Sequence, residues 1–558
     1  MAKLISAFFI TTITTLSFAQ STFDRVYSIL QTNCTASCHN SSNLSGNLDL
    51  SGSKSAVYSA LKDVDPDNST AKSKGYKRVY PGDARKSFLF QKINQGLDVN
   101  ASLQSGEGDA EPRGQAPLSE VEREIIRQWI IFGASNTTNY TWVRENVITD
   151  FYGGKAEART PPLPPPNDNE GYQVYFGPIF LNPGEEVEFA GKFPLLNKED
   201  DEVYKINTVV NKESHHMALW KYKPGLDLLS PTGLQKLNGI TDEAVLFFAA
   251  EVVGQWPDPL EIELPQGTAL VWNKNTVINL GYHILNYSDS IIAAEIYMNI
   301  YSRPLQPTTI PMLSYPVRYD GNDPYSEGDP TSPLNINPTG TDTTFFINQY
   351  NKPDTGMWYL WSIQAHTHKL GKDFNVWLRN SDGTKGEFIY DGSYDYDNHF
   401  DKGYYAWEHP PFRQFNPLKP VDMKVGLIHE ATFRNPTTEA VHFGLKTTDE
   451  MFVTYIYYTK SLPPISTAIA NEKGMSGDII KLYPNPTQNK AFIQISPEVE
   501  LKNARFIIYD LPGKETLAID VDKSIFDLDL ERIAEGYYFY ALLNWGKMIS
   551  NGKMVVCK

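Results

Sequence analysis

Cysteine is scarce in this 558-residue chain, which holds only Cys34, Cys38 and Cys557. With two of the three almost side by side, no disulfide framework can staple the fold, and packing must hold it instead. Long apolar runs are missing too. Beyond residue 19 no stretch approaches the roughly 18 uninterrupted apolar residues that span a bilayer, so no later segment is expected to anchor the chain in a membrane. Basic charge is in deficit: 50 Lys and Arg face 66 Asp and Glu, a formal net charge of -16. That balance argues against nucleic acid as a partner, because phosphate-tracking surfaces carry clustered Lys and Arg. No repeat of fixed period runs through the chain. Between residues 20 and 160 there is one histidine, His39, and no methionine.

The segments that are present describe an exported, strand-rich, multidomain protein. Lys3, the apolar run from Leu4 to Leu16 and the small-residue end Ser17-Phe18-Ala19 form the pattern of a cleaved signal peptide over residues 1–19. The length exceeds what one hydrophobic core usually holds. A composition of 41% hydrophobic and 13% aromatic residues, with 37 prolines and 38 glycines, suits short strands punctuated by turns. Residues 20–136 are expected to be helical at both ends. Phe23, Val26, Tyr27 and Leu30 recur at helical spacing. A closing helix starts at the capping box Ser119-Glu120-Val121-Glu122, buries Val121, Ile125, Ile126, Trp129 and Ile130, and stops at Gly133. A Pro-rich linker is expected over 137–171, two β domains over 172–305 and 306–462, a second linker over 463–477 and a small β domain over 478–558.

Cys34-Thr35-Ala36-Ser37-Cys38-His39 follows the first helical segment directly. Two thiols next to an imidazole suit covalent attachment of haem, the cysteines bonding the porphyrin vinyl groups while the histidine reaches the iron, although the spacer is one residue longer than in C-x-x-C-H. A short-loop disulfide with an exposed His39 is the alternative. Together with Pro81-Gly82-Asp83, Ala116-Pro117-Leu118-Ser119 and the helix ending Gln128-Trp129-Ile130-Ile131-Phe132-Gly133, the segment resembles the small cytochrome c-like domains of secreted bacterial proteins. The resemblance implies haem c held by Cys34, Cys38 and His39. The family's methionine ligand is lacking, Glu111-Pro112 standing where it is often found.

Five of the nine other histidines fall in three short groups, Ser214-His215-His216-Met217, Gly281-Tyr282-His283 and Ala365-His366-Thr367-His368. In a strand His366 and His368 point to one face and can share a metal, whereas His215 and His216 point apart unless a bulge or strand end intervenes. These strings, with His366-Thr367-His368-Lys369-Leu370-Gly371-Lys372 and Thr447-Thr448-Asp449-Glu450-Met451, resemble the copper type II ascorbate-dependent monooxygenases, the family of peptidylglycine hydroxylase and dopamine β-hydroxylase. The resemblance implies two copper ions. His215, His216 and His283 would hold the electron-supplying one, and His366, His368 and Met451 the catalytic one, where oxygen meets substrate. Imidazole suits copper in both oxidation states and a thioether favours Cu(I); a zinc site gives Met451 no part. The chain departs from peptidylglycine hydroxylases at Gln364, where an arginine holds the substrate carboxylate, and at Val453, where an asparagine stands. Tyr455 is kept. Loss of the arginine argues against a C-terminal glycine substrate. His399, His409 and His429 are expected to be hydrogen-bonded loop or strand residues, His442 lies where the resembling family also carries a histidine that is not a ligand, and Met217 is expected to be packing.

Lys481-Leu482-Tyr483-Pro484-Asn485-Pro486-Thr487, Ile508-Tyr509-Asp510 and Gly536-Tyr537-Tyr538 resemble the C-terminal sorting domain of type IX secretion in Bacteroidetes. The expected fold class is multidomain and mainly β: two β-sandwich or jelly-roll copper domains and a C-terminal Ig-like sandwich, behind an N-terminal α-helical cytochrome c-like domain. The implied function is hydroxylation of a C–H bond by O2. It would require a small-molecule or peptide-like substrate and a reductant, with electrons arriving by way of the haem or a soluble donor. The secretion machinery is an implied partner, and the expected location is outside the cell or on its surface. A non-catalytic exported copper and haem protein, for electron transfer or binding, is the alternative.

Overall fold

The computed structural model describes residues 20–167, 169–211, 214–237, 250–256, 261–319, 333–350, 356–396, 410–444, 448–463 and most of 479–558, with a few isolated residues between. The expected signal peptide, almost all of the second linker, His399, His409 and Thr447 lie outside the described residues. Two compact units are present, one ending at Pro464 and the other starting at Ile465. The architecture is multidomain and mainly β, as expected from the composition. Among the described residues no helix is long and apolar enough to cross a membrane.

The first unit opens with helices packed on a β-sandwich. Helix α1 (Thr22–Cys34) buries Phe23, Val26, Ile29 and Leu30, and Phe23 lies 5.0 Å from Trp129 of helix α2 (Glu120–Ile131). The predicted capping box is formed: Ser119 Oγ accepts from the Glu122 amide at 3.2 Å and Glu122 accepts from the Ser119 amide at 3.0 Å. Gly133 ends α2 at φ +111°, where a β-carbon would stand 2.7 Å from the Thr232 carbonyl oxygen. Periodicity alone suggests a polar solvent face for α2, but that face is buried as well. Glu124 and Arg127 pair with both side chains wholly inaccessible, and Gln128 Nε2 donates to the Pro178 carbonyl at 2.7 Å. The β-sandwich covers this side, so the polar contacts that form are internal, while Arg127 Nη1 and Gln128 Oε1 are buried with no hydrogen-bond partner among the described residues.

The 137–171 segment, read from its prolines as an extended linker, contains helix α3 (Glu145–Tyr152), which buries Val147, Ile148 and Phe151. The rest is strapped down. Arg159 pairs with Glu295, Asn100 Nδ2 donates to the Leu163 carbonyl at 2.9 Å, and Asn299 Nδ2 donates to the Pro164 carbonyl at 2.8 Å. Prolines stiffen this strap while its carbonyls remain free to accept from the sheet. One continuous core therefore runs from Phe23 through Trp129 and Phe151 to Phe176 and Ile296.

The first sandwich comprises β1 (Gly171–Leu181), β2 (Glu186–Pro194), β3 (Asp201–Val210), β4 (Ser214–Tyr222), β5 (Ala250–Trp256), β6 (Thr268–Trp272), β7 (Val277–Leu285) and β8 (Ile292–Pro304). One sheet is ordered β6-β3-β8-β1 and the other β2-β7-β4-β5, with short strands at their edges. The second sandwich follows in the same unit: β9 (Leu313–Arg318), β10 (Asp342–Gln349), β11 (Met357–His366), β12 (Gly371–Arg379), β13 (Lys385–Asp391), β14 (Phe412–Asp422), β15 (Leu427–Arg434) and β16 (Val453–Thr459). Its sheets are ordered β9-β16-β11-β14 and β10-β15-β12-β13 around a separate core that includes Leu360, Phe374 and Phe452. The unit from Ile465 has its own core, with a three-stranded and a four-stranded sheet closed by Ala491, Phe506, Leu542 and Met554.

Replacing Arg127 with Ala strands Glu124 in a dry interface. Urea unfolding is expected to show a loss of about 3–5 kcal/mol, the usual cost of breaking a buried ion pair from one side. A loss under 1 kcal/mol would mean that water reaches this face of α2.

Candidate metal centre

Antiparallel register brings the first two histidine groups together. His283 on β7 stands opposite His216 on β4, and the next pairing, Ile284 with Ser214, skips a residue. The skipped residue is His215, so a β-bulge falls at the one place where adjacent histidines need it. The His215 side chain lies outside the described part of the structure. Met217, one residue past His216, faces the opposite side of the sheet and is fully buried in the sandwich core.

The third group comes from the other sandwich. His366 is the last residue of β11, opposite Val453 of β16, and His368 lies just past the strand end. The return to β12 is tight, since a β-carbon on Gly371 would stand 2.2 Å from Thr367 Oγ1. The outer face of β4 packs across the join between the sandwiches, where Trp220 and Tyr222 meet Val453, Tyr455 and Met451 in one apolar cluster. Tyr457 of β16 donates through its hydroxyl to the Val253 carbonyl of β5.

At that join four imidazoles from two sandwiches stand edge to face. Ring centroids are 5.2 Å apart for His216 and His283, 5.6 Å for His216 and His366, and 5.2 Å for His366 and His368. Burial holds the His216 pKa well below its ordinary value, with His283 adding to the effect, and burial likewise brings His368 down to about 4. These rings are therefore neutral at pH 7, the form that ligates a metal.

Hydrogen bonds orient His283 and His368. His283 Nε2 faces Glu186 Oε1 at 2.9 Å and His216 Nε2 lies 3.9 Å from Glu188 Oε1. His368 Nδ1 faces the Asp449 carbonyl oxygen at 3.0 Å, which makes Nδ1 its protonated nitrogen and Nε2 its lone-pair nitrogen. Burial raises the pKa of Glu188, and it pushes that of Glu450 up to about 7. Glu450 accepts from the backbone amides of His368, of Leu370 at 2.9 Å and of Met451 at 2.8 Å, tying the His366–His368 turn to the Met451 segment.

The donor chemistry fits copper, with four imidazoles of which His216 and His368 are held neutral, a thioether in the adjoining cluster and carboxylates behind the rings. Among the described residues no three His, Cys, Asp or Glu side chains form a ready-made metal cage. Met451 is buried in the same apolar cluster as Trp220 and Tyr222. Of the other histidines, buried His429 bonds Thr454 Oγ1 at 2.9 Å, and His442 is exposed on a short strand. Gln364 is buried opposite Tyr455, its Nε2 3.5 Å from the Pro410 carbonyl oxygen. Sequence reasoning did not single out Glu186, Glu188 or Trp220. Glu-Val-Glu-Phe alternation on a strand looks like any solvent-facing edge until a second sheet covers it.

Cys34, Cys38 and His39 lie apart from this cluster, in the helical layer. They line a cavity of about 370 Å³ walled by Leu48, Leu61, Phe88 and Ile93. Both thiols are free, and burial pushes the Cys34 pKa up to about 12. His39 Nδ1 lies 3.3 Å from the Leu48 carbonyl oxygen.

Two protein families match parts of the chain. Residues 341–474 match the copper type II ascorbate-dependent monooxygenase C-terminal domain, and residues 481–557 match a secretion system C-terminal sorting domain. The second sandwich is thus similar to the C-terminal domain of copper monooxygenases, and the tail, similar to a secretion sorting domain, indicates export to the medium or the cell surface. Neither match reaches the helical layer with Cys34, Cys38 and His39. No curated protein matches the chain. Similar solved structures include domains 3 and 4 of rat CD4, at 8% identity over 39% of this chain and 95% of that one, with a TM-score of 0.12. A β-1,2-glucanase from Parabacteroides distasonis matches at 10% identity over 44% and 37%, TM-score 0.13, and the VP2 subviral particle of infectious bursal disease virus at 10% over 57% and 79%, TM-score 0.14. Overlaps this poor carry no argument.

Glu450→Ala removes the shared acceptor of three amides. Buried donors left unpaired cost about 1–3 kcal/mol each where water cannot replace the acceptor, so a stability loss of at least about 2 kcal/mol is expected. Hydrogen exchange should speed up at His368, Leu370 and Met451 before it does elsewhere in β11 and β16.

Proposed function

We propose that the chain is an exported copper-dependent monooxygenase that hydroxylates a C–H bond with O2. In this reading His366, His368 and Met451 hold the copper at which substrate reacts, and His215, His216 and His283 hold the electron-supplying copper. The observation that carries it is the meeting of His283, His216, His366 and His368 at one buried join between two sandwiches. Copper, when bound, supplies one-electron redox chemistry, so that O2, two electrons and two protons convert C–H to C–OH and water.

The protein's own residues prepare that chemistry. Burial keeps His216 and His368 neutral, and the Asp449 carbonyl turns His368 so that Nε2 is its ligating nitrogen. Glu450 fixes the spacing between the His366–His368 turn and Met451. Trp220, Tyr222 and Val453 close the join to water around the thioether. With neutral Gln364 where the resembling peptidylglycine hydroxylases carry an arginine, a substrate that needs no carboxylate clamp fits this site best.

We further propose that the helical layer holds a c-type haem through Cys34, Cys38 and His39, with the haem serving as a one-electron carrier. The free thiols, the adjacent imidazole and the apolar walls of the cavity support this. Its packing against the first sandwich in one core supports an intramolecular electron supply.

The test is the metal and haem content of protein matured in a host with c-type cytochrome assembly. Wild type is expected to carry two coppers and one covalent haem, and to consume O2 when a reductant is added. Met451→Ala should abolish the O2 uptake while retaining haem, and Cys38→Ala should lose covalent haem while retaining copper. Copper that is absent or inert toward O2 would leave an exported binding or electron-transfer protein. A redox titration in which reduced haem fails to reduce copper would remove the electron-supply role alone.

A further inference from the structure

Strand β2 places two carboxylates behind the imidazoles of the first sandwich. Glu188 stands opposite His283, and His283 opposite His216, so the three form a row across β2, β7 and β4 on one face of the sheet. Glu186, two residues before Glu188, shares that face. Its Oε1 lies 2.9 Å from His283 Nε2, and Glu188 Oε1 lies 3.9 Å from His216 Nε2. Both Nε2 atoms therefore look toward β2.

The strand that carries these carboxylates is anchored from its other face. Phe189 is fully buried, 5.9 Å from Phe132 and 5.3 Å from Trp142 in the helical layer. At the start of β2, Glu185 is held by Arg144, Nη1 to Oε1 at 2.6 Å and Nη2 to Oε2 at 2.8 Å, which turns the neighbouring Glu186 to the opposite side. Aromatic packing and a bidentate ion pair thus set the roll of β2.

From this arrangement we infer that Glu186 is a positioning residue that aims His283 through its hydrogen bond, and that Glu186 and the neighbouring Glu188 tune the copper that His283 and His216 hold. The inference rests on the copper reading of His216 and His283 given above. An imidazole donating Nε2–H to a carboxylate offers Nδ1 as its lone-pair nitrogen, and the carboxylate makes that nitrogen more basic. Nearby negative charge also favours the more positive ion. Both effects stabilise Cu(II) over Cu(I) on this side of the join, and a centre biased in that way gives up its electron readily.

The experiment compares full-length wild type with Glu186→Gln, Glu188→Gln and the double variant, using copper itself as the probe. Gln keeps the size of each side chain, and thermal melting checks folding. Competition titration is expected to show Cu(II) affinity at one of the two sites falling about 10-fold in Glu186→Gln, within the usual range for lost outer ligands. Cu(I) affinity should change less, so the potential of that copper rises, and its Cu(II) EPR signal should shift while the other copper's signal stays put. Glu186→Asp should recover part of the affinity. Glu261→Gln, which alters only an exposed partner of Lys205, should match wild type. Wild-type behaviour in both Gln variants, or equal losses at both coppers, overturns the inference while leaving the copper reading intact. Wild type that binds no copper overturns that reading and this inference with it.

Discussion

The first unit depends on a buried join in which neutral imidazoles from two separate sandwiches touch. Desolvation is the organising force there. It prevents His216 and His368 from charging, so rings that would repel one another as cations can pack edge to face at 5.2 to 5.6 Å. Trp220, Tyr222, Val453 and Tyr455 provide the apolar seal. A wet cleft at this place would leave the same histidines free to titrate.

Rigidity around the join comes from packing and internal polar pairing, in a chain with no disulfide among its described residues. The helical layer contributes through β2, whose core face carries Phe189 against Phe132 and Trp142 while its other face carries Glu186 and Glu188. Buried pairs such as Glu124 with Arg127 and Glu295 with Arg159 lock the layer and its proline strap to the sandwich. Such pairs add little net stability, yet they penalise any other docking by stranding a charge. Glu450 does similar work in the second sandwich, where one carboxyl holds three backbone amides on two segments.

Both proposed sites therefore lie in one compact unit. The cavity bearing Cys34, Cys38 and His39 and the histidine join share a continuous core through the helices and the first sandwich. The sorting tail has a core of its own, in keeping with a module recognised by a secretion system rather than by a substrate.

Local pattern alone fixed much of this. The capping box at Ser119, the alternation of the β segments, the motif strings of the tail and the spacing of the histidine groups are properties of neighbouring residues, and each is legible in the sequence. For His215 and His216 to share an ion, the sequence required a bulge or a strand end, since adjacent strand residues point apart, and the structure has the bulge. Tertiary structure alone decided which surfaces meet. The polar face of α2 is buried because a sandwich covers it, the prolines after Thr160 form a strap because the sheet offers donors to their carbonyls, and Glu186 stands behind His283, 97 residues away. Periodicity reports that a face exists, whereas the partner of that face is set by contacts distant in sequence, which no local spacing encodes.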